Sequence, residues 1–130
     1  MTKAVYINLL VNDLNASRQF FETLGYGFND TFSNEEVANL VISDTIKAML
    51  HTEPSLKQYT KRPLANPKDT TEVLIALQQE TKLEVDKLIE KALAAGGKEF
   101  RATEDHGFMY ARTFEDLDGH IWEAFWMSEE

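Results

Sequence analysis

Glu72-Val73-Leu74-Ile75-Ala76-Leu77 repeats what Tyr6-Ile7-Asn8-Leu9-Leu10-Val11 has already said: an apolar strand that leads into an amphipathic helix. Each helix then closes at glycine, in Leu24-Gly25-Tyr26-Gly27-Phe28 and again in Ala95-Gly96-Gly97-Lys98-Glu99-Phe100. A hairpin follows in each half and ends in an apolar strand, Ile46–Leu50 in the first and His120–Trp126 in the second. The chain therefore reads as strand, helix and three strands, twice over, with module one at 4–52, a connection at 53–70 and module two at 71–127. A module this short leaves one face of its sheet unburied. Two copies are expected to pair into a single domain, residues 1–130, around a shared concavity.

The local signals fill in this frame. In the first strand Tyr6, Asn8 and Leu10 alternate with Ile7, Leu9 and Val11, so the two sets point to opposite faces. Asp13 is placed to cap a helix running to Leu24, with Leu14, Ser17, Phe20, Phe21 and Leu24 along its buried stripe. Phe28–Ser33 and Val37–Ser43 read as strands around an acidic turn at Asn34-Glu35-Glu36, and Asp44-Thr45 feeds the strand that ends near His51. In the second half Thr81-Lys82-Leu83-Glu84 reads as a capping box, Thr81 capping and Glu84 reaching back. Val85, Leu88, Ile89 and Ala92 form the stripe of that helix, and Gly96-Gly97 end it. Thr103–Gly107 reads as a polar loop carrying His106, Phe108–Phe114 as a strand, Asp116–Gly119 as a tight turn and His120–Met127 as the last strand.

Composition excludes several classes of function. Thirteen basic against twenty-two acidic residues give a net charge of −9, a poor balance for phosphate backbones, so no nucleic-acid partner is expected. Phe108, Trp122, Phe125 and Trp126 accordingly read as core or cavity wall rather than a base-stacking platform. No apolar run approaches the ~20 residues of a membrane span, and the N-terminus lacks a basic-then-apolar signal; a cytoplasmic protein without a membrane partner is the expectation. The absence of cysteine rules out disulfides, thiolate zinc sites and a cysteine nucleophile. The glycine pairs are helix stops rather than phosphate loops, and no Ser-His-Asp pattern is visible. All three prolines fall in the connection, as Pro54, Pro63 and Pro67, beside Lys57, Lys61, Arg62 and Lys68. This segment reads as a solvated loop with one helical turn around Ser55–Tyr59; the functional alternative is a basic flap that draws in an anionic ligand.

Two stretches resemble a known family. Asp13 with Ser17, Phe20-Phe21 and Leu24-Gly25-Tyr26 is similar to the opening of the vicinal oxygen chelate superfamily, and Phe114-Glu115-Asp116-Leu117-Asp118-Gly119-His120-Ile121-Trp122-Glu123 to its close. That superfamily includes glyoxalase I, extradiol dioxygenases, and bleomycin- and fosfomycin-resistance proteins. The resemblance implies an α+β fold: two βαβββ modules forming a cupped mixed sheet with helices on its outer face, often as a homodimer. In metal-dependent relatives four cavity side chains hold a divalent ion, which binds two substrate oxygens as a Lewis acid. Carried over one position at a time, the last-strand ligand falls on Glu123 and the ligand opening the second module on Glu72. The strand-one ligand falls on Tyr6, with Asn8 on the same face, and the ligand ending module one near Met49, where His51 is the nearest donor. The metal set this implies is Glu72, Glu123 and His51, holding Ni, Mn, Fe or Zn. A metal-free cavity is the equal alternative, because Tyr6 and Met49 are poor donors.

Glu123 is the catalytic candidate, as ligand or general base at the cup floor; its structural alternative is an ion pair with a nearby arginine such as Arg112. Tyr6, Asn8, His106, Tyr110 and Arg112 are the candidate substrate contacts. The bland readings are a solvated Glu72 at the rim, a surface His106, and rim or turn positions for His51 and His120. Two functions remain open: a lyase, isomerase or dioxygenase acting on a small oxygen-bearing molecule, or a metal-free protein that sequesters a small molecule in the cavity.

Overall fold

Asp13 starts the first helix by accepting the backbone N–H of Ala16 on Oδ1 at 3.0 Å, and the sheet in front of that helix follows from the alternation already read. The computed structural model describes residues 1–129 and divides them between two units, Met1–Ala65 and the part from Asn66 onward.

In the first unit β1 (Val5–Leu10), α1 (Leu14–Thr23), β2 (Gly27–Asn29), β3 (Val37–Ser43) and β4 (Ile46–His51) precede a single helical turn, α2 (Glu53–Leu56). The sheet order is β1-β4-β3-β2, with β1 parallel to β4 and the other pairs antiparallel. Leu9, Ala38, Leu40, Ala48 and Leu50 lie on one face and are buried with Leu14, Phe20, Phe21 and Leu24 of the α1 segment. Phe20 and Phe21 meet edge to face at 5.1 Å. The opposite face carries Tyr6 and Asn8 from β1, Met49 and His51 from β4, and Asn39 from β3.

Two sequence readings shift here. The strand expected over Phe28–Ser33 stops at Asn29 and gives way to a 3-10 turn at Asp30–Phe32. Asn29 causes this: its Oδ1 accepts from the Thr31 N–H at 3.1 Å, and its carbonyl accepts from Ser33 Oγ at 2.7 Å. The turn expected around Ser55–Tyr59 begins two residues earlier, with Pro54 in its first turn, where a missing N–H is harmless.

The second unit holds β5 (Leu74–Gln78), α3 (Lys82–Ala94), β6 (Lys98–Glu99), β7 (Glu104–Asp105), β8 (Met109–Glu115) and β9 (Ile121–Met127). Its sheet runs β5-β9-β8-β6, with β7 also paired to β8 and β5 parallel to β9. Thr81 Oγ1 accepts the Glu84 N–H at 3.1 Å, so half of the capping box forms; the Glu84 carboxylate lies instead 3.7 Å from Lys87 Nζ. Val85, Leu88, Ile89 and Ala92 of α3 are buried with Phe114, Trp122 and Ala124. Phe114 and Trp122 stack at 6.4 Å. The turn after β8 is tied by Asp116, which accepts the N–H of Asp118 and His120 on Oδ1 and Trp122 Nε1–H on Oδ2 at 2.9 Å. Burial pushes the Asp116 carboxyl up.

That turn needs Gly119, at φ +95°, for a second reason. A Cβ there would stand 2.7 Å from Lys68 Cγ and 3.0 Å from Lys68 N. Lys68, read as part of a basic flap, is thus packed on the turn. Among the described residues no helix is long and apolar enough to cross a membrane.

Candidate functional site

Glu123 sits in β9 between Ile121 and Phe125 on the face opposite α3, level with Ala76 of β5 and Thr113 of β8. Its partner is Arg101, whose Nη2 donates to Glu123 Oε2 at 2.6 Å, not the Arg112 expected for a structural pair. Arg101 reaches it because β6 and β7 both pair with β8 and the short arch between them crosses Thr113. The Arg101 N–H donates to Thr113 Oγ1 at 3.1 Å and the Phe100 N–H to the Thr113 carbonyl at 3.4 Å. Arg101 Nε also lies 3.6 Å from Glu104 Oε1, and Glu104 Oε2 lies 3.7 Å from His106 Nε2. A line of alternating groups, Glu123, Arg101, Glu104 and His106, therefore runs across this unit. The segment expected to be a plain polar loop supplies it, because Glu104-Asp105 pair with β8 as β7. His106 stays exposed beside Phe108.

Tyr110 and Arg112 do not join this line. They alternate with Ala111 and Thr113 along β8, which puts them on the face that α3 covers, and correct the expectation of a cavity-facing Tyr110. Tyr110 Oη donates to Asp86 Oδ1 at 2.7 Å, and Arg112 reaches Asp86 at 2.9 Å, Glu99 at 3.2 Å and Glu90 at 3.5 Å. Burial raises the Asp86 carboxyl, but the Tyr110 and Arg112 hydrogen bonds and the Arg112 charge outweigh it, leaving the pKa below its ordinary value. The Tyr110 hydroxyl is pushed up, mainly by its bond to Asp86. This is a clasp between helix and sheet. Glu72 is exposed and precedes β5, which begins at Leu74, so the reading as a strand-opening ligand gives way to the rim position.

The first unit gathers its candidates around His51. Expected at a rim, this side chain is buried, with both ring nitrogens engaged: Nε2 lies 2.7 Å from Asn8 Oδ1 and Nδ1 2.8 Å from Ser55 Oγ. Asn8 Oδ1 accepts the Nε2–H, which leaves the Nδ1 lone pair to accept from the Ser55 hydroxyl. Burial lowers the His51 pKa by disfavouring the charged ring. Tyr59 closes over the ring at 5.6 Å, edge on. Tyr6 lies exposed on the same sheet face. Asn39 Oδ1, level with Met49 on that face, is buried with no hydrogen-bond partner among the described residues.

The divalent metal that the family resemblance implies does not fit these donors. Glu123 is held by a guanidinium, Glu72 lies exposed ahead of β5, Tyr6 stands at the strand-one position, and near Met49 the lone pair of His51, the nearest donor, is taken by Ser55. Among the described residues no three His, Asp or Glu side chains are grouped to hold an ion. A polar cleft of about 670 Å³ opens elsewhere, between Gln78–Glu80 and Trp126–Glu129, and contains none of the candidates.

Three of the residues that organise these clusters escaped sequence reasoning. Arg101 is one unremarkable cation after Phe100, Glu104 one acid in a loop, and Ser55 one hydroxyl in a proline-bearing segment. Only the β6–β8–β7 pairing and the α2 turn give them partners.

The model of the glyoxalase/bleomycin resistance protein/dioxygenase superfamily matches residues 3–124. No curated protein matches the chain significantly. Among solved structures, a hypothetical protein from S. aureus is similar at a TM-score of 0.81 and 27% identity, over 96% of this chain and 94% of that one. A glyoxalase-related enzyme from Fulvimarina pelagi matches at 0.82 and 23%, over 97% and 88%. The genomically encoded fosfomycin resistance protein FosX from Listeria monocytogenes matches at 0.72 and 22%, over 100% and 94%. The last two likenesses speak for the fold.

Proposed function

Because the chain belongs to the glyoxalase/bleomycin resistance protein/dioxygenase superfamily, we propose that it is a metal-independent member that binds and sequesters a small molecule on the sheet face bearing Glu123. The observation that carries this reading is the 2.6 Å ion pair between Arg101 and Glu123. A carboxylate neutralised by a guanidinium offers little to a divalent ion, which would have to displace a charge-assisted hydrogen bond before it could bind. The locked His51 supports the same reading in the other unit, since its Nδ1 lone pair is spent on Ser55. A homodimer is the proposed assembly, supported by the exposed Val5 and Tyr6 on β1 and Leu74 on β5, each strand last in its sheet. A cytoplasmic location belongs to the same proposal.

A second reading keeps one observation of its own. Glu123 Oε1 has no protein partner among the described residues, so the carboxylate retains an oxygen for use as a general base in a lyase or dioxygenase. A small-molecule library screened by thermal shift separates the two. On chelator-treated protein, ligands should raise the melting temperature, and adding Ni, Mn, Fe or Zn should change neither the hits nor their size. Shifts that appear only with metal, and vanish in Glu123→Gln, would overturn the metal-independent reading.

A further inference from the structure

Ser55, His51 and Asn8 of the first unit stand in an order that small-molecule binding at Glu123 does not use. Ser55 Oγ donates to His51 Nδ1 at 2.8 Å, and His51 Nε2 donates to Asn8 Oδ1 at 2.7 Å. A hydroxyl is thus bonded to the lone pair of an imidazole whose other nitrogen is fixed by an amide oxygen: a nucleophile, its base and the group that orients the base. Strand register and one helical turn build the set. The parallel pairing of β1 with β4 puts Asn8 level with Met49, diagonal to His51, and α2 brings Ser55 back over the ring. His51 and Ser55 are only 3% and 6% exposed, so water competes little for the bond between them. Thr52 Oγ1, three residues before Ser55, is buried with no hydrogen-bond partner among the described residues, although Thr52 holds the N-cap position where such an oxygen ordinarily accepts a backbone N–H. It is a free hydroxyl donor on the nucleophile's own turn. Tyr59 covers the His51 ring edge-on at 5.6 Å yet is itself 73% exposed, so the cover is a side chain at the surface rather than part of the core.

We propose that Ser55 is a catalytic nucleophile that takes the acyl group of a small activated ester, with His51 as its base. Ser55 Oγ bonds to the ester carbonyl carbon while its proton passes to His51 Nδ1. The bond from that carbon to the leaving oxygen then breaks, and His51 returns the proton to the departing alcohol. Water, entering in the alcohol's place, gives its proton to His51 and its oxygen to the acyl carbon, which frees Ser55 and releases a carboxylic acid. The Thr52 hydroxyl is the donor for negative charge that develops on the carbonyl oxygen. Asn8 is a positioning residue: it holds Nε2 and so keeps Nδ1 aimed at Ser55. The ester must be small, because both reacting side chains are nearly enclosed and the Tyr59 ring has to yield before one enters. The set escaped sequence reasoning because its members lie 43 and 4 positions apart in the chain.

The test is acetylation by p-nitrophenyl acetate, quenched in acid at successive times and mapped by peptide mass spectrometry on the full chain. In the native protein Ser55 should be acetylated ahead of Ser43, an exposed serine, which reverses the order that exposure alone would give. His51→Gln should slow the reaction at Ser55 by at least about 100-fold, and Thr52→Val by at least about tenfold. Asn8→Leu should slow it, whereas Asn8→Asp, which keeps an acceptor oxygen, should retain it. Tyr59→Ala, which uncovers the ring, should speed it. Amide proton–nitrogen spectra check that each variant is folded; should His51→Gln fail to fold, the native comparison of Ser55 with Ser43 decides alone. Acetyl groups on Ser43, on lysines or on His51 itself, with none on Ser55, would overturn the proposal, as would equal rates at Ser55 with and without His51. Acetylation of Ser55 confined to Tyr59→Ala would overturn it for the native chain. Each of these outcomes leaves the reading of Glu123 untouched, because that site lies in the other unit.

Discussion

Removing the charge at either end of the Arg101–Glu123 pair should destabilise the protein by a modest, coupled amount. The contact is short, at 2.6 Å, but both side chains keep some exposure, 34% for Arg101 and 26% for Glu123. A hydrogen bond to a charged group contributes about 1.5–3 kcal/mol when shielded, and exposed ion pairs about 0.2–1 kcal/mol. The half-shielded pair falls between, at about 1 kcal/mol of coupling. Arg101→Gln should cost somewhat more than Glu123→Gln, about 1.5 against about 1 kcal/mol, because it leaves Glu123 and Glu104 facing each other without a cation. The double variant should lose less than the sum of the two. A double-mutant cycle by urea unfolding measures the coupling, and repeating it in high salt should shrink it. For a chain of this size about 1 kcal/mol moves the melting temperature by roughly 4 °C, well within reach of the assay. Coupling indistinguishable from zero in low salt would refute the claim that Arg101 holds Glu123 in solution, and the proposed function would lose its main support.

Three other substitutions probe separate parts of the account. Arg112→Met should cost about 2 kcal/mol by urea unfolding, since three carboxylates lose their cation, yet leave ligand binding unchanged, because the clasp lies under α3. Gly119→Ala should cost about 2–3 kcal/mol, combining a positive φ with the close approach of Lys68, and thermal melts should show it whether or not ligand is present. Asn39→Leu should be neutral or stabilising by up to about 1 kcal/mol, as it removes a buried carbonyl that lacks a donor; a clear loss of stability would mean that a bound water satisfies it. His51 is held below its ordinary value of 6.5 by burial, so the unfolded chain binds the extra proton first. Its contribution is complete above that value and is lost as pH falls toward the folded pKa. Melting temperatures from about pH 8 to about pH 5 should therefore drop less steeply in His51→Gln than in the native chain.

How much of this the sequence disclosed varies with the range of the interaction. The two long helices were readable because their causes are local: Asp13 and Thr81 cap them, Gly25 and Gly96 end them at positive φ, and Leu14, Phe20, Phe21, Val85 and Ile89 recur at helical spacing. The strand of Val37–Ser43 and the Asp116–Gly119 turn were readable for the same reason. Asn29 shows the limit of that logic, since its side chain bonds to Thr31 and ends a strand that composition alone would continue. Glu123 could be placed on its correct face by counting from Ile121, yet its partner could not be named. The expectation was a nearby arginine such as Arg112, and only the pairing of β6 and β7 with β8 brings Arg101 across instead. Parity also fixes why Tyr110 and Arg112 leave the candidate site, because residues 110 and 112 cannot share a face with Thr113. The His51 cluster combines strand register, which aligns Asn8 beside Met49, with a helical turn started near Pro54; neither is legible from His51 itself.

The most direct test of the central claim is the metal content of protein that has been purified, stripped with chelator, incubated with Ni, Mn, Fe or Zn and desalted, measured alongside Glu123→Gln. With Glu123 held by Arg101 and the His51 lone pair held by Ser55, the native chain should retain far less than one ion per chain, and the variant should not differ. Near-stoichiometric retention of any of these ions, lost in Glu123→Gln, would contradict the account and restore Glu123 as a metal ligand.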